Sequence, residues 1–178
     1  MRRRIGLLLA VGFAAAWIPA SPANADDTIV TFTVTTGALD ISAPTGPVAL
    51  TNGTLVPGGT ASGQIGTVAV TDTRGISPAV WHAHVSSTPW ADGVGVTNIP
   101  STAATYSGGP TTQTGDGVCA AEPDAPIATT PADTEAVQHQ GGTGGNTCSW
   151  NPTITVNIPV TASAATYTTT LQHLVAPS

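Results

Sequence analysis

The chain has 178 residues, 20 of them glycine and 15 proline, only 8% charged, and a formal net charge of −6. Arg2, Arg3 and Arg4 precede an apolar run from Ile5 to Ile18, and Ala23-Asn24-Ala25 follows as a small-x-small site, the pattern of a cleaved secretory signal peptide over residues 1–25. Export then leaves Arg74 as the one cationic side chain against ten carboxylates, a net charge of −9. That balance excludes nucleic acid as a partner, because no basic surface displaces its counterions. The apolar run is shorter than the ~20 residues of a membrane span, so no span is expected once the signal is removed.

The exported chain, residues 26–178, has the size of a single domain. Thr, Val, Ala, Gly and Pro dominate it, and the helix-favouring Leu, Glu, Lys and Arg are scarce. Thr28 to Thr36 alternates Val30, Phe32 and Val34 with threonines, predicting a strand with one buried face. Ala38 to Ile41 continues it after Gly37, and Val48 to Leu50 leads into Asn52-Gly53, a two-residue hairpin signal. Ile65 to Thr71 is the next predicted strand, with Val68 and Val70 on one face. Ala79 to Ser86 follows, placing Trp81, Ala83 and Val85 inward and His82 and His84 opposite.

From Ser107 to Gly145 the sequence is of low complexity and too long for an ordinary connection. It reads as an excursion of weak strands and loops, tethered by a bridge between Cys119 and Cys148. In an exported chain such a pair is a structural disulfide. It closes a loop of 29 residue steps, worth about 3–4 kcal/mol in the chain-entropy model. Order returns with Ile154, Val156, Ile158 and Val160, where Pro159 marks an edge or a strand end. Tyr167 to Val175 closes the chain. The expected architecture is an antiparallel β-sandwich of the immunoglobulin-like or Greek-key type, with seven to nine strands.

Several blocks carry a resemblance. Gly66 to Gly75 reads Gly-Thr-Val-Ala-Val-Thr-Asp-Thr-Arg-Gly, and Trp81 to Val85 follows it. Ser149-Trp150-Asn151-Pro152 runs into the Ile154 strand, and Tyr167 to Val175 ends the chain. In this order the blocks resemble the WxL family of Gram-positive surface proteins. The leucine two residues after each tryptophan is absent, replaced by Ala83 and Pro152, so the chain looks like a divergent, WxL-like branch. The resemblance implies a sandwich fold and non-covalent attachment to cell-wall peptidoglycan through the tryptophan motifs.

Trp81, Trp90 and Trp150 are therefore the candidate ligand-binding residues, each with a structural alternative. Trp81 suits a sandwich core. Trp150 stands at the start of a strand, where its face could stack on a sugar, and Trp90 lies in a turn-rich loop. Asp72 and Arg74 read as a structural pair fixing the turn before the Trp81 strand. His82 and His84 share a face and have metal-ligand spacing, to which His139 or His173 could add a third ligand; such spacing arises on any polar strand face, so no metal and no cofactor are expected. Glu122, Asp124, Asp133 and Glu135 cluster without a calcium-loop pattern. Catalytic motifs are missing. The reading is a secreted, non-catalytic module associated with the cell wall or cell surface, whose partner is a wall glycan or a surface protein. The alternative is a freely secreted, adhesive β-sandwich that binds another protein.

Overall fold

The computed structural model describes residues 28–95, 98–121 and 127–178. Residues 1–25, expected above to be a signal peptide, and Glu122 and Asp124, lie outside the described residues. The chain forms two units, Met1–Val34 and Thr35–Ser178. In the first, residues 28–34 carry no strand, and Ile29, Val30, Phe32 and Val34 are 80–88% exposed. The strand predicted over Thr28 to Thr36 is thus not formed. Alternation specifies which face a strand would bury, but a strand also needs an edge to pair with, and among the described residues none is paired with this segment.

The second unit is all antiparallel β. Its strands are β1 (Leu39–Ser42), β2 (Thr60–Gln64), β3 (Val68–Asp72), β4 (Trp81–Ser87), β5 (Trp90–Ala91), β6 (Asn98–Ile99) and β7 (Ala104–Ser107). They continue as β8 (Thr111–Thr114), β9 (Val118–Ala121), β10 (Ile127–Ala128), β11 (Thr134–Gln140), β12 (Asn146–Trp150), β13 (Thr153–Asn157) and β14 (Leu171–Pro177). Among the described residues the only helical turn is the 3₁₀ turn Ser101–Ala103, and no helix is long and apolar enough to cross a membrane. The sheets have the orders β1-β3-β12-β8, β10-β7-β13-β2 and β14-β4-β11-β9, with β5-β6 as a small fourth.

The first two sheets are one layer bent across its middle. β2 and β3, β7 and β8, and β12 and β13 are successive pieces of three runs of chain, and the pieces keep the same neighbours on both sides of the bend. The interruptions fall at Gly66, Gly109 and Pro152. Gly66 has φ +100°, and a Cβ there would stand 2.8 Å from Cγ of Pro44, so only glycine fits. Its N–H donates to Oδ1 of Asn151 at 3.1 Å, tying the bend of one strand to that of its neighbour. These bends, and three strands only two residues long, are why fourteen strands appear where seven to nine were expected.

The third sheet, β14-β4-β11-β9, packs with β4 against both halves of the bent layer. Val68, Val70, Trp81, Ala83, Val137 and Trp150 fill one core, and Val85, Tyr106, Ile154 and Val156 belong to the other. β4 serves both, with the inward faces of Trp81, Ala83 and Val85 that its alternation predicts. The middle segment is not an excursion. β11 lies between β4 and β9, and Val137 and His139 are fully buried. Its turns are closed by Gly115, Gly117, Gly141, Gly142 and Gly145, all at positive φ. The glycines that made the segment read as loop are thus its hairpin turns. Asn52-Gly53 likewise starts a wide reversal, bridged between Asn52 and Ser62, and not a two-residue hairpin.

Candidate functional site

Trp81 and Trp150 are core residues, which corrects their candidacy as ligand contacts. Trp81 is fully buried; its Nε1–H donates to Oδ1 of Asn146 at 3.2 Å, and its ring stacks on His139 at 5.5 Å. Trp150 is 3% exposed and donates from Nε1 to the Tyr106 hydroxyl at 2.7 Å. The pleat aims both rings between the layers, and both polar atoms are satisfied there, so neither face is free to stack on a sugar. The cysteines are joined across the same core, Cys119 on β9 to Cys148 on β12, with Cα atoms 6.2 Å apart.

Asp72 and Arg74 close the end of this core. Asp72 is fully buried, and Arg74 grips both its oxygens, Nε to Oδ1 at 2.9 Å and Nη2 to Oδ2 at 2.8 Å. The Arg74 backbone N–H also donates to Oδ1 at 3.0 Å, and Nη2 reaches the Val80 carbonyl at 3.2 Å. The guanidinium holds the Asp72 carboxyl below the usual carboxylate range. This geometry spans the turn between β3 and β4 and commits Nε and Nη2 of the fork to groups of the protein itself.

The histidines part company. His82 and His84 stand on the outer face of β4, where Nδ1 of His82 lies 2.6 Å from Oε1 of Glu135. His139 is in the core and His173 faces inward from β14. No cluster of three or more His, Cys, Asp or Glu side chains suited to a metal occurs among the described residues.

Trp90 is the tryptophan that meets open space. β5 pairs with β6, and Ala91 bridges to Thr168, which holds the half-buried indole between two adjoining cavities of about 560 and 830 Å³. The first is walled by Ile65 and Ile154 of the bent layer and by Leu171 and His173 of β14. The second runs on along Ala61, Val156 and Ile158. Pro47, Val48, Leu50, Tyr167 and Thr168 line both. Tyr167 secures one rim, since its hydroxyl donates to the Ser163 carbonyl and accepts from the Ser163 N–H, both at 3.1 Å, in the manner of a tyrosine corner. Nε1 of Trp90 is shielded and has no hydrogen-bond partner among the described residues. The cleft is apolar, lined by no Asp, Glu, Lys or Arg, and fringed with the hydroxyls of residues 167–170.

Sequence reading missed this cleft because its walls are ordinary Val, Leu, Ile, Pro and Thr from five separate segments. The available signal was a loop tryptophan among residues 26–178, which hold only two others.

A polar chain leads from the core to the cleft. Trp150 donates to the Tyr106 oxygen, and the Tyr106 hydroxyl lies 3.3 Å from Nε2 of His173. With the Tyr106 proton directed to His173, Nε2 must be the unprotonated nitrogen of a neutral ring. Burial favours the same state, pushing the His173 pKa down to about 4. The folded protein therefore resists a proton that the unfolded chain accepts near pH 6.5. Stability should be complete above that pH and fall as the pH drops from about 6.5 towards 4. Denaturant midpoints at intermediate pH values check this. His173→Gln should flatten the decline over that interval, and an unchanged slope would remove His173 as its source.

Comparison with protein-family models, with curated proteins and with solved structures finds no match to this chain.

Proposed function

We propose that this is an exported, non-catalytic binding module of the cell surface, and that its binding site is the cleft around Trp90. One observation carries the reading: a half-buried tryptophan, with an indole N–H that finds no partner among the described residues, stands in an apolar cleft free of Asp, Glu, Lys and Arg. Apolar clefts with a few directed polar groups are the usual form of ligand sites. Aliphatic walls and a hydroxyl fringe favour an extended neutral polymer, held by side chains in the cleft and by hydrogen bonds at the rim. A polypeptide segment suits these walls best, in keeping with the adhesive, protein-binding alternative.

Wall peptidoglycan is the second reading. The order of the WxL-like blocks supports it, and Trp90 with the hydroxyls of Tyr167 to Thr170 supplies a surface on which a sugar could rest. Attachment would then use Trp90, since Trp81 and Trp150 are consumed by the core. Insoluble peptidoglycan, mixed with the exported protein at low and high salt and then sedimented, separates the readings. Salt-resistant retention that falls at least about tenfold in a folded Trp90→Ala variant, a loss of about 1.4 kcal/mol, would establish the wall ligand. Protein left in the supernatant would exclude it and leave a protein partner. Trp90 packs against the edge of the Val85–Tyr106–Ile154 core, so the retention of Trp90→Ala is read only beside a circular-dichroism melt showing that the variant is folded.

A further inference from the structure

We infer that the occupant of the Trp90 cleft is a proline-rich, uncharged polypeptide segment, bound in the extended polyproline conformation. The inference rests on the reading of that cleft as a polypeptide site and says which polypeptides it takes. Three features select this class: the strand edges along the cleft are covered, its spare donor is an indole N–H, and one of its walls is already a proline segment.

A peptide held as an added strand needs a row of unpaired backbone groups. β14 supplies part of the wall through Leu171 and His173, but β1 lies against its outer side, and residues 44–50 run on along the same cleft. The chain before β14 is engaged as well. The Thr170 carbonyl accepts from the Thr88 N–H, and Ala91 and Thr168 exchange both their backbone bonds. Around the second cavity the Gly58 N–H donates to the Ile158 carbonyl and the Ile158 N–H to that of Gly59, while Asn52 and Thr54 cover the outer side of β2. A ligand there gains no ladder.

Without a ladder, each ordinary residue entering the apolar walls brings an N–H that gives up its water for no new partner, which is costly. Proline brings no N–H. A polyproline helix has no internal hydrogen bonds, leaves its carbonyls free to accept, and is already extended in the unbound peptide. An accepting carbonyl is what the Trp90 indole lacks: its Nε1–H is shielded and finds no partner among the described residues. Its ring, with that of Tyr167 lining the same two cavities, gives the aromatic surface on which proline rings dock. Charge agrees. No Asp, Glu, Lys or Arg lines the walls, although residues 26–178 hold ten carboxylates and one arginine, so the segment is uncharged where it lies in the cleft. The chain's own residues 28–36 hold no proline and bring an N–H at every position.

The molecule carries a segment of the same chemistry in this place. Residues 44–47 read Pro-Thr-Gly-Pro. They join no strand, make no backbone–backbone hydrogen bond among the described residues, and line the first cavity together with Trp90 and Tyr167. Pro47 goes on to line the second cavity, where Pro57 joins it. One wall is thus an unpaired, proline-bearing stretch, seated without a ladder, and a second such segment is the occupant whose backbone asks for none.

The probe is a capped nine-residue peptide alternating proline with valine and leucine, about 28 Å long as a polyproline helix. One control has alanine in place of each proline, and another alternates valine with threonine. Each is titrated by calorimetry into the full chain, expressed with its leader and purified after export, from about 10 μM to about 2 mM, the range of weak contacts. The proline peptide should bind at least about tenfold tighter than either control. Trp90→Phe keeps a ring and removes the N–H, and should weaken binding about tenfold, the size of one directed hydrogen bond. Val48→Asp puts a charge at a position that is 44% exposed and lines both cavities; it should weaken binding at least as much, with both variants shown folded by circular dichroism. Controls that bind as tightly as the proline peptide overturn the inference and leave the cleft a general polypeptide site. Binding unchanged in both variants overturns it too, since the site then lies elsewhere. If no peptide binds but an uncharged apolar dye enters the cleft and is weakened by Val48→Asp, every polypeptide reading falls and the cleft remains a site. If the dye fails as well, the cleft reading itself falls.

Discussion

Arg74→Ala is expected to destabilise the fold by about 3 kcal/mol, the lower end of the cost of breaking a buried ion pair. For a domain of this size that lowers the melting temperature by about 6–12 °C. The cost is the desolvated carboxylate left behind. Asp72 has no exposed surface, and Arg74 occupies both its oxygens. The lower end applies because the backbone N–H of residue 74 still donates to Oδ1 and water can enter where the guanidinium stood. Lysine should restore only part of the loss, since a single ammonium cannot span two oxygens and the Val80 carbonyl.

The pH dependence identifies the cause. Asp72 has its folded pKa lowered by Arg74, so the stability it supplies is present above the ordinary carboxylate pKa and lost as the pH falls through the lowered one. In Arg74→Ala the abandoned carboxyl takes up a proton more readily, so the deficit should be largest near neutrality and shrink in acid. Denaturation of both proteins from pH 7 down to about 3 measures this. A deficit that stays constant would assign the loss to packing of the arginine stem instead.

Much of the β architecture was legible because it depends on pleat alternation, which is local. The inward faces of β3 and β4 follow from Val68, Val70, Trp81, Ala83 and Val85, each two residues from the next within its strand. The Asp72–Arg74 pair was legible for a related reason: two residues apart at a turn, they can meet whatever the rest of the chain does. Partnership was not legible. Nothing local distinguishes Thr28 to Thr36, which carries no strand, from the segments that found edges. The same limit concealed β11, whose neighbours β4 and β9 come from both sides of it in sequence. Trp150 misled for a further reason. Its place before Asn151-Pro152 suggested the exposed entry of a strand, but that bend is where a long strand turns from one half of the layer to the other. A bend inside a layer is buried, and so is the ring beside it.

Replacing both cysteines, as Cys119→Ala/Cys148→Ala, should cost about 3–4 kcal/mol, the chain-entropy value for the loop they close. That corresponds to a fall of about 6–16 °C in melting temperature. The place of the bridge explains why so much rests on it. Cys148 belongs to β12, held on both sides by β3 and β8, whereas Cys119 is on β9, an outer strand of the third sheet paired only with β11. The loop between them contains the whole of β11, the strand against which β4 and much of the buried wall are laid. The bond thus fastens the free margin of one layer to the middle of the other and confines the central strand in the unfolded chain. β9 should lose amide-exchange protection before β11, because Thr111 Oγ1 and the Gln113 side chain are its other ties to the opposite layer. A loss below about 1 kcal/mol would mean the unfolded chain is already confined over residues 119–148, and the entropic account would fail for this loop.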